Sequence, residues 1–214
     1  MEFLDCRQLV IDTGRRMYEG GLTVGKWGNV SIRSQVSGHV FITPSGMGYD
    51  VCTPADINVY TVDGILVDGF RKPSVEKNLH LFIYKARPDI CAIVHTHPLY
   101  SSVFGALGED IPAITEEFAQ VIGKVVRCAR YFLPGTDELA NAAVEALGDG
   151  PAALLASHGA VCAGEGVDAA FQVAEVLEKA CQILYMARAI GKPKVISDED
   201  VEAMYKFKRT EYGQ

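Results

Sequence analysis

The apolar run Ile90-Cys91-Ala92-Ile93-Val94 closes in His95-Thr96-His97-Pro98, and this stretch limits the possible folds more than any other. A run of this kind reads as a β-strand. Pro98 stops it, because proline has no N–H to give to a sheet ladder. Residues i and i+2 of a strand face the same way, so His95 and His97 present two imidazoles side by side. Neutral imidazole is the commonest ligand of zinc-like metals. The same spacing also fits two polar residues at a strand end, and a motif alone is a hypothesis.

The elements around this strand alternate in type. Helical periodicity covers residues 5–19, with Gly20-Gly21 as its stop. Residues 30–33 and 40–43 read as a hairpin across Ser37-Gly38, and residues 57–62 and 65–67 as another across Asp63-Gly64. Ser74 is expected to cap a helix running to residue 87. Further helices are expected over 98–107, 136–148, 167–190 and 197–208. A short strand is expected at 111–114, and another at 125–128 within a stretch, 116–130, that is otherwise ambiguous. Residues 153–157 read as an apolar strand that 160–163 could continue. Hairpins interleaved with helices predict an α/β domain with a largely antiparallel sheet covered by helices.

The chain has 214 residues, 49% of them hydrophobic and 22% charged, which predicts one globular domain over 1–214 with a full core. The formal net charge is −7, and no run of Lys or Arg exists. Nucleic acid and anionic membrane are therefore poor partners. The six cysteines are scattered without a C-x-x-C pair, mostly among apolar neighbours, as in Val161-Cys162-Ala163. This predicts reduced thiols of a cytoplasmic protein rather than a disulfide frame. Glu2, Asp5 and Arg7 interrupt the first residues, so no signal peptide is expected. No apolar run reaches about 18 residues, so no membrane span is expected either.

Among the five histidines, His158 shares the setting of His95 and His97, at a strand end beside Gly159. Three histidines with one open position form a catalytic zinc pattern. His158 equally fits a strand-end polar residue. Glu76 is the acid to set beside them, at the start of a helix where a carboxylate is favoured by the helix dipole. A simple first-turn capping role is the alternative. His80 shares a helix face with Glu76, and reads as a packing or supporting residue. Gly28-Asn29, Thr43-Pro44-Ser45-Gly46 and Ser74 could offer N–H groups and small hydroxyls to an anion. Each is also ordinary turn chemistry. Gly20 to Lys26 imitates the start of a P-loop. Trp27 stands where Ser or Thr should hold Mg²⁺, and a helix precedes it rather than a strand, which excludes nucleotide hydrolysis. No G-x-S-x-G elbow is present for a serine hydrolase.

Gly28-Asn29-Val30-Ser31, Ile42-Thr43-Pro44-Ser45-Gly46, Pro73-Ser74-Val75-Glu76, His95-Thr96-His97 and Ser157-His158-Gly159 together resemble the class II aldolase/adducin family. The resemblance runs over nearly the whole chain. It implies a three-layer α/β/α fold, a homotetramer with shared active sites, and a divalent metal, usually Zn²⁺ with Mn²⁺ or Co²⁺ also possible. The metal ligands it implies are His95, His97 and His158, with Glu76 visiting the metal and moving protons. The phosphate pocket it implies is Gly28, Asn29, Ser45, Gly46 and Ser74, with Thr43 nearby. Tyr212 resembles a C-terminal tyrosine that serves the substrate of a neighbouring subunit. The implied reaction is cleavage of a ketose 1-phosphate, similar to L-fuculose 1-phosphate, to dihydroxyacetone phosphate and a short aldehyde such as lactaldehyde. An epimerase, a phosphosugar dehydratase or decarboxylase, and a non-catalytic adducin-like domain are the alternatives. Glu76, where the epimerases carry Asp, favours an aldolase. Val75 stands where the aldolases have a second serine, Lys26 where they have a small polar residue, and Glu116 where they have a mobile tyrosine.

Overall fold

The computed structural model describes residues 2–211. Its helices are α1 (Glu2–Glu19), α2 (Lys77–Ala86), α3 (Leu99–Leu107), α4 (Glu116–Val121), α5 (Asp137–Leu147), α6 (Val167–Ile190) and α7 (Asp198–Thr210). Its strands are β1 (Asn29–Arg33), β2 (Val40–Ile42), β3 (Asn58–Tyr60), β4 (Leu66–Asp68), β5 (Ala92–Thr96), β6 (Ile111–Pro112), β7 (Val125–Ala129), β8 (Ala152–Leu155) and β9 (Gly159–Gly164). The nine strands form one sheet in the order β4-β3-β2-β1-β5-β9-β8-β7-β6. Among the described strands only the β7–β8 pairing is parallel. The histidine strand β5 lies at the centre, between β1 and β9.

Period-two alternation sorts the core into two layers. Ala92 and Val94 of β5, Leu154 of β8 and Cys162 of β9 pack with residues of α1, α3, α4, α6 and α7. Ile93, Leu155 and Val161, on the other face, pack with α2 and α5. The result is the three-layer α/β/α arrangement with a largely antiparallel sheet. Large side chains such as Phe41, Phe104, Phe118 and Ile93 are fully buried, and each contributes about 1.5–3 kcal/mol relative to exposure. By the same alternation His95 lies on the Ile93 face, toward α2.

Three segments differ from the sequence expectation. Residues 159–164 do not continue β8 but reverse against it as an antiparallel partner. The reversal is made at Ser157, whose φ of 53° is left-handed and unusual for a residue other than glycine. Helix α2 begins at Lys77, not at Ser74, and Glu76 takes the cap position. The Ser74 hydroxyl instead accepts a hydrogen bond from the Glu76 N–H at 3.2 Å, a local turn that competes with the helix. The ambiguous stretch contains the short helix α4, capped by Thr115, whose side chain accepts from Phe118 N.

Arg33, at the end of β1, locks α2 against the sheet. Its guanidinium donates to the carbonyls of Tyr84 and Arg87 at 3.0 and 3.4 Å and also reaches Pro88 and Ile90. A cation at a helix C-terminus is favoured by the dipole as well as by these bonds. No described helix is long and apolar enough to cross a membrane. Every cysteine is a free thiol, as expected, and burial pushes the Cys181 thiol up to about 12.

Candidate metal centre and active site

Strand pairing assembles the site. Register places Asn29 opposite His95 across β1–β5, and Thr96 opposite Ala160 across β5–β9. The backbone N–H of His97 donates to Leu22 O at 2.9 Å, tying the strand end to the loop after α1. Gly28 has a φ of 73°, and a Cβ there would stand 2.5 Å from the His95 carbonyl oxygen. A Cβ at Gly159 would stand 2.3 Å from Thr96 O. Only glycine permits either approach.

These constraints bring His95, His97, His158 and Glu76 together, with one donor atom from each lying within 4.8 Å of the others. Glu76 Oε2 lies 3.1 Å from His95 Nε2, and Oε1 lies 3.1 Å from His158 Nε2. The Nε2 atoms of His95 and His97 are 2.9 Å apart. His95 Nδ1 lies 2.9 Å from Ala160 O. A carbonyl only accepts, so the proton sits on Nδ1 and the Nε2 lone pair points at the cluster.

The donor set fits a divalent cation. Glu76 Oε1 is buried and makes no hydrogen bond of acceptable geometry. Such an orphaned acceptor costs free energy unless something else partners it. Tetrahedral zinc with bonds near 2.0–2.1 Å separates its ligands by roughly 3.3 Å, comparable to the spacings seen.

The electrostatics of the cluster are set by the mutual contacts of these four side chains. Burial alone would push the Glu76 carboxyl up, but His95 and His158 more than offset it and hold it far below the carboxylate range. Burial also depresses His97, to about 3, aided by its two histidine neighbours. A neutral imidazole is the form that binds metal. For His95, burial pushes down, yet Glu76 and the Ala160 carbonyl carry the net shift upward.

A cavity of about 670 Å³ opens on this cluster. Gly28, Ser45, Gly46, Ser74 and Lys26 are among its lining residues. The segments holding Ser45 and Ser74 are bound to each other. Ser74 N donates to Thr43 O at 3.2 Å, and Ser45 N donates to Lys72 O at 2.9 Å. Thr43 does not line the cavity. It is buried, and its hydroxyl accepts from Val30 N at 3.2 Å. Asn29 borders the cavity, but its side chain is engaged between Glu76 and His80. Tyr212 lies outside the described residues. Sequence reasoning missed the apolar wall made by Val24, Trp27, Tyr131 and Pro134, because exposed apolar residues in loops follow no period. It also missed Ser31, which period two would have placed on the same face as Asn29.

The sequence matches the family described as Class II Aldolase and Adducin N-terminal domain over residues 8–185. It is 40% identical over 208 residues to the 5-deoxy-D-ribulose 1-phosphate aldolase of Bacillus thuringiensis serovar kurstaki, covering 97% of both chains. It is 34% identical over 210 residues to the L-fuculose phosphate aldolase of Escherichia coli strain K12, covering 97% of this chain and 96% of that one. Among solved structures, an L-fuculose 1-phosphate aldolase superimposes with a TM-score of 0.93 at 37% identity, with 96% of each chain covered. The chain belongs to the class II aldolase/adducin family. Within that family it is a class II aldolase, a carbon–carbon lyase.

Proposed function

We propose that the enzyme cleaves a ketose 1-phosphate between C3 and C4, giving dihydroxyacetone phosphate and a short aldehyde with an apolar end. The carrying observation is that three imidazoles and one carboxylate converge beside a cavity whose lining mixes small polar and apolar residues. Its polar residues Ser45, Gly46, Ser74 and Lys26 suit a phosphate. Its apolar residues Val24, Trp27, Tyr131 and Pro134 suit a terminal methyl group. L-Fuculose 1-phosphate and 5-deoxyribulose 1-phosphate both end that way. They would release lactaldehyde and acetaldehyde respectively.

His95, His97 and His158, with Glu76, would hold a divalent cation, Zn²⁺ by donor type, with Mn²⁺ or Co²⁺ as alternatives. When bound, such a cation supplies Lewis acidity that stabilises negative charge on the ketone fragment. The chain's own groups do the rest. The serine hydroxyls and loop N–H groups anchor the phosphate and aim C3 at Glu76. Tyr212, from a neighbouring subunit of a homotetramer, takes the proton of the C4 hydroxyl as the C3–C4 bond breaks. Glu76 delivers a proton to C3, completing dihydroxyacetone phosphate. The tetramer draws support from Val24, Trp27 and Tyr131, which line the cavity and are 73%, 68% and 54% exposed in the single chain. Exposed apolar groups clustered at a site mouth suit coverage by another subunit. Residues 1–214 act as one domain, and the setting is cytoplasmic.

The test is release of dihydroxyacetone phosphate from each of the two sugar phosphates by Zn²⁺-loaded protein, beside a chelator-treated control. Chelator-sensitive release from either is expected. Metal-loaded protein that releases nothing from both, but epimerises, dehydrates or decarboxylates another sugar phosphate, would overturn the proposal.

A further inference from the structure

Behind Glu76 runs a buried chain of hydrogen bonds that the reaction as described does not use. Asn29 Nδ2 donates to Glu76 Oε2 at 2.9 Å. The Asn29 carbonyl oxygen therefore faces the other way, onto His80 Nε2. A carbonyl only accepts, so His80 carries its proton on Nε2. Its Nδ1 then accepts from the Ser31 hydroxyl at 2.6 Å. With the Ser31 proton committed, the Tyr84 hydroxyl donates to Ser31, 2.9 Å from Oγ and 3.1 Å from the carbonyl. Every donor in the chain points one way, from Tyr84 to Glu76. His80 and Ser31 are 0% exposed, Tyr84 1% and Asn29 4%, so no water competes for these groups.

We infer that His80 is a positioning residue: its Nε2–H fixes the orientation of the Asn29 amide, and through it the Glu76 carboxylate in the metal-binding cluster. A primary amide looks nearly the same after a half-turn, and nothing in its shape decides which end meets Glu76. The Glu76 carboxylate, which accepts, and the His80 Nε2–H, which donates, select the same orientation and hold the amide at both ends. Removing the His80 donor leaves the buried Asn29 carbonyl oxygen without a partner and the amide held only at its Glu76 end. A buried chain satisfied at every link is also stiffer than any single bond. Glu76 is thereby tethered through Oε2 while Oε1 is left without a hydrogen bond, available to a ligand. Ser31 contributes by setting the His80 tautomer.

This inference rests on the proposal that the cluster binds a divalent cation. The test follows Co²⁺ binding by the metal-free protein through its visible absorption, without substrate. Replacing groups that orient metal ligands weakens metal binding by roughly 10–100-fold, and His80→Leu is expected to do so with an unchanged far-ultraviolet circular dichroism spectrum. His80→Gln keeps an N–H toward Asn29 and should restore most of the affinity. Glu76→Gln should weaken binding comparably, and the double variant His80→Leu/Glu76→Gln should be no weaker than Glu76→Gln alone. That non-additivity separates action through Glu76 from general damage. If His80→Leu does not fold, Ser31→Ala takes its place, with a roughly three- to tenfold loss expected for one buried hydrogen bond. Wild-type affinity in the folded variants, or additive losses in the double variant, would overturn the inference and leave the metal proposal standing. A wild-type protein that binds no Co²⁺ would overturn both.

Discussion

Oε2 of Glu76 lies 3.1 Å from Nε2 of His95, so the proposed proton-transfer group and a metal-ligand candidate share one contact. Proton transfer by a positioned side chain contributes typically about 10²–10⁴-fold to a rate. Glu76→Gln keeps the shape of the side chain and loses its ability to exchange a proton. With Zn²⁺ supplied in excess to offset its weaker affinity, the variant is expected to carry stoichiometric Zn²⁺ on the three histidines, while kcat falls by at least about 100-fold. Metal content by atomic absorption, measured beside steady-state rates, reads both. A variant with full metal and full turnover would remove Glu76 from the proton-transfer role.

The buried histidines make the metal-free protein sensitive to acid. His80 and His97 are held down to about 3 in the fold, chiefly by burial, against about 6.5 in an unfolded chain. Between those values the unfolded state binds more protons, so stability rises with pH and is lost as pH falls from about 6.5. His80 alone contributes a slope of up to about 1.4 kcal/mol per pH unit in this window. His95 works oppositely. Its folded pKa is raised, so its contribution is complete below about 6.5 and is lost as pH climbs through the folded value. Urea unfolding of chelator-treated protein should therefore show lower midpoints at pH 5 than at pH 6.5. A midpoint that is flat across that interval would contradict the burial argument.

The Gly159 position tests how closely the strands that carry the histidines must approach. A Cβ there would sit 2.3 Å from Thr96 O, with ring carbons of His95 and His97 at 3.4 Å. The obstructing atom is backbone of a central strand, which gives way only by moving the sheet. Gly159→Ala is expected to cost about 1–3 kcal/mol of stability, the usual size of an overpacking penalty. It should also weaken Zn²⁺ binding, because His95 and His97 shift with Thr96. Denaturant midpoints and metal titration together would show it. Weakened stability with unaltered metal affinity would mean that the strain is absorbed elsewhere.

Much of this arrangement was readable from local chemistry. The His-x-His strand, the helix from Val167 to Ile190 and the Asp63-Gly64 hairpin each announce themselves through a period or a turn residue. Sheet order does not, because β5 joins β1 and β9 through contacts that no sequence period encodes. The reversal at Ser157 was hidden because the residue adopts a left-handed φ without the usual glycine, although Gly159 stands two positions on. Helix α4 was ambiguous because six residues are too few for a helical period to emerge. Of the candidate anion-binding residues, Ser45 and Ser74 are brought near each other by the bridge between Pro44 and Pro73, a pairing of two loops. Thr43 supports β1 instead, since its hydroxyl is spent on Val30 N.

Lys26 offers the sharpest test of the proposed phosphate contacts. It lines the cavity beside Gly28, Ser45 and Gly46, and also borders an adjoining hollow with Arg71 and Lys72. Arg71 is already paired with Asp56 at 2.7 Å, which leaves the two lysines to supply positive charge. A phosphate contact made equally in the ground and transition states changes KM and leaves kcat alone. A charge-assisted hydrogen bond is worth about 1.5–3 kcal/mol, or roughly a 10–150-fold effect, and solvent screening at a cavity mouth reduces it toward the lower end. Lys26→Ala is therefore expected to raise KM for the sugar phosphate about tenfold at low salt, with kcat within about twofold of wild type. Added salt should narrow the difference. If kcat falls while KM holds, Lys26 acts on the reacting carbons rather than on the phosphate, and its assignment to phosphate binding would have to be withdrawn.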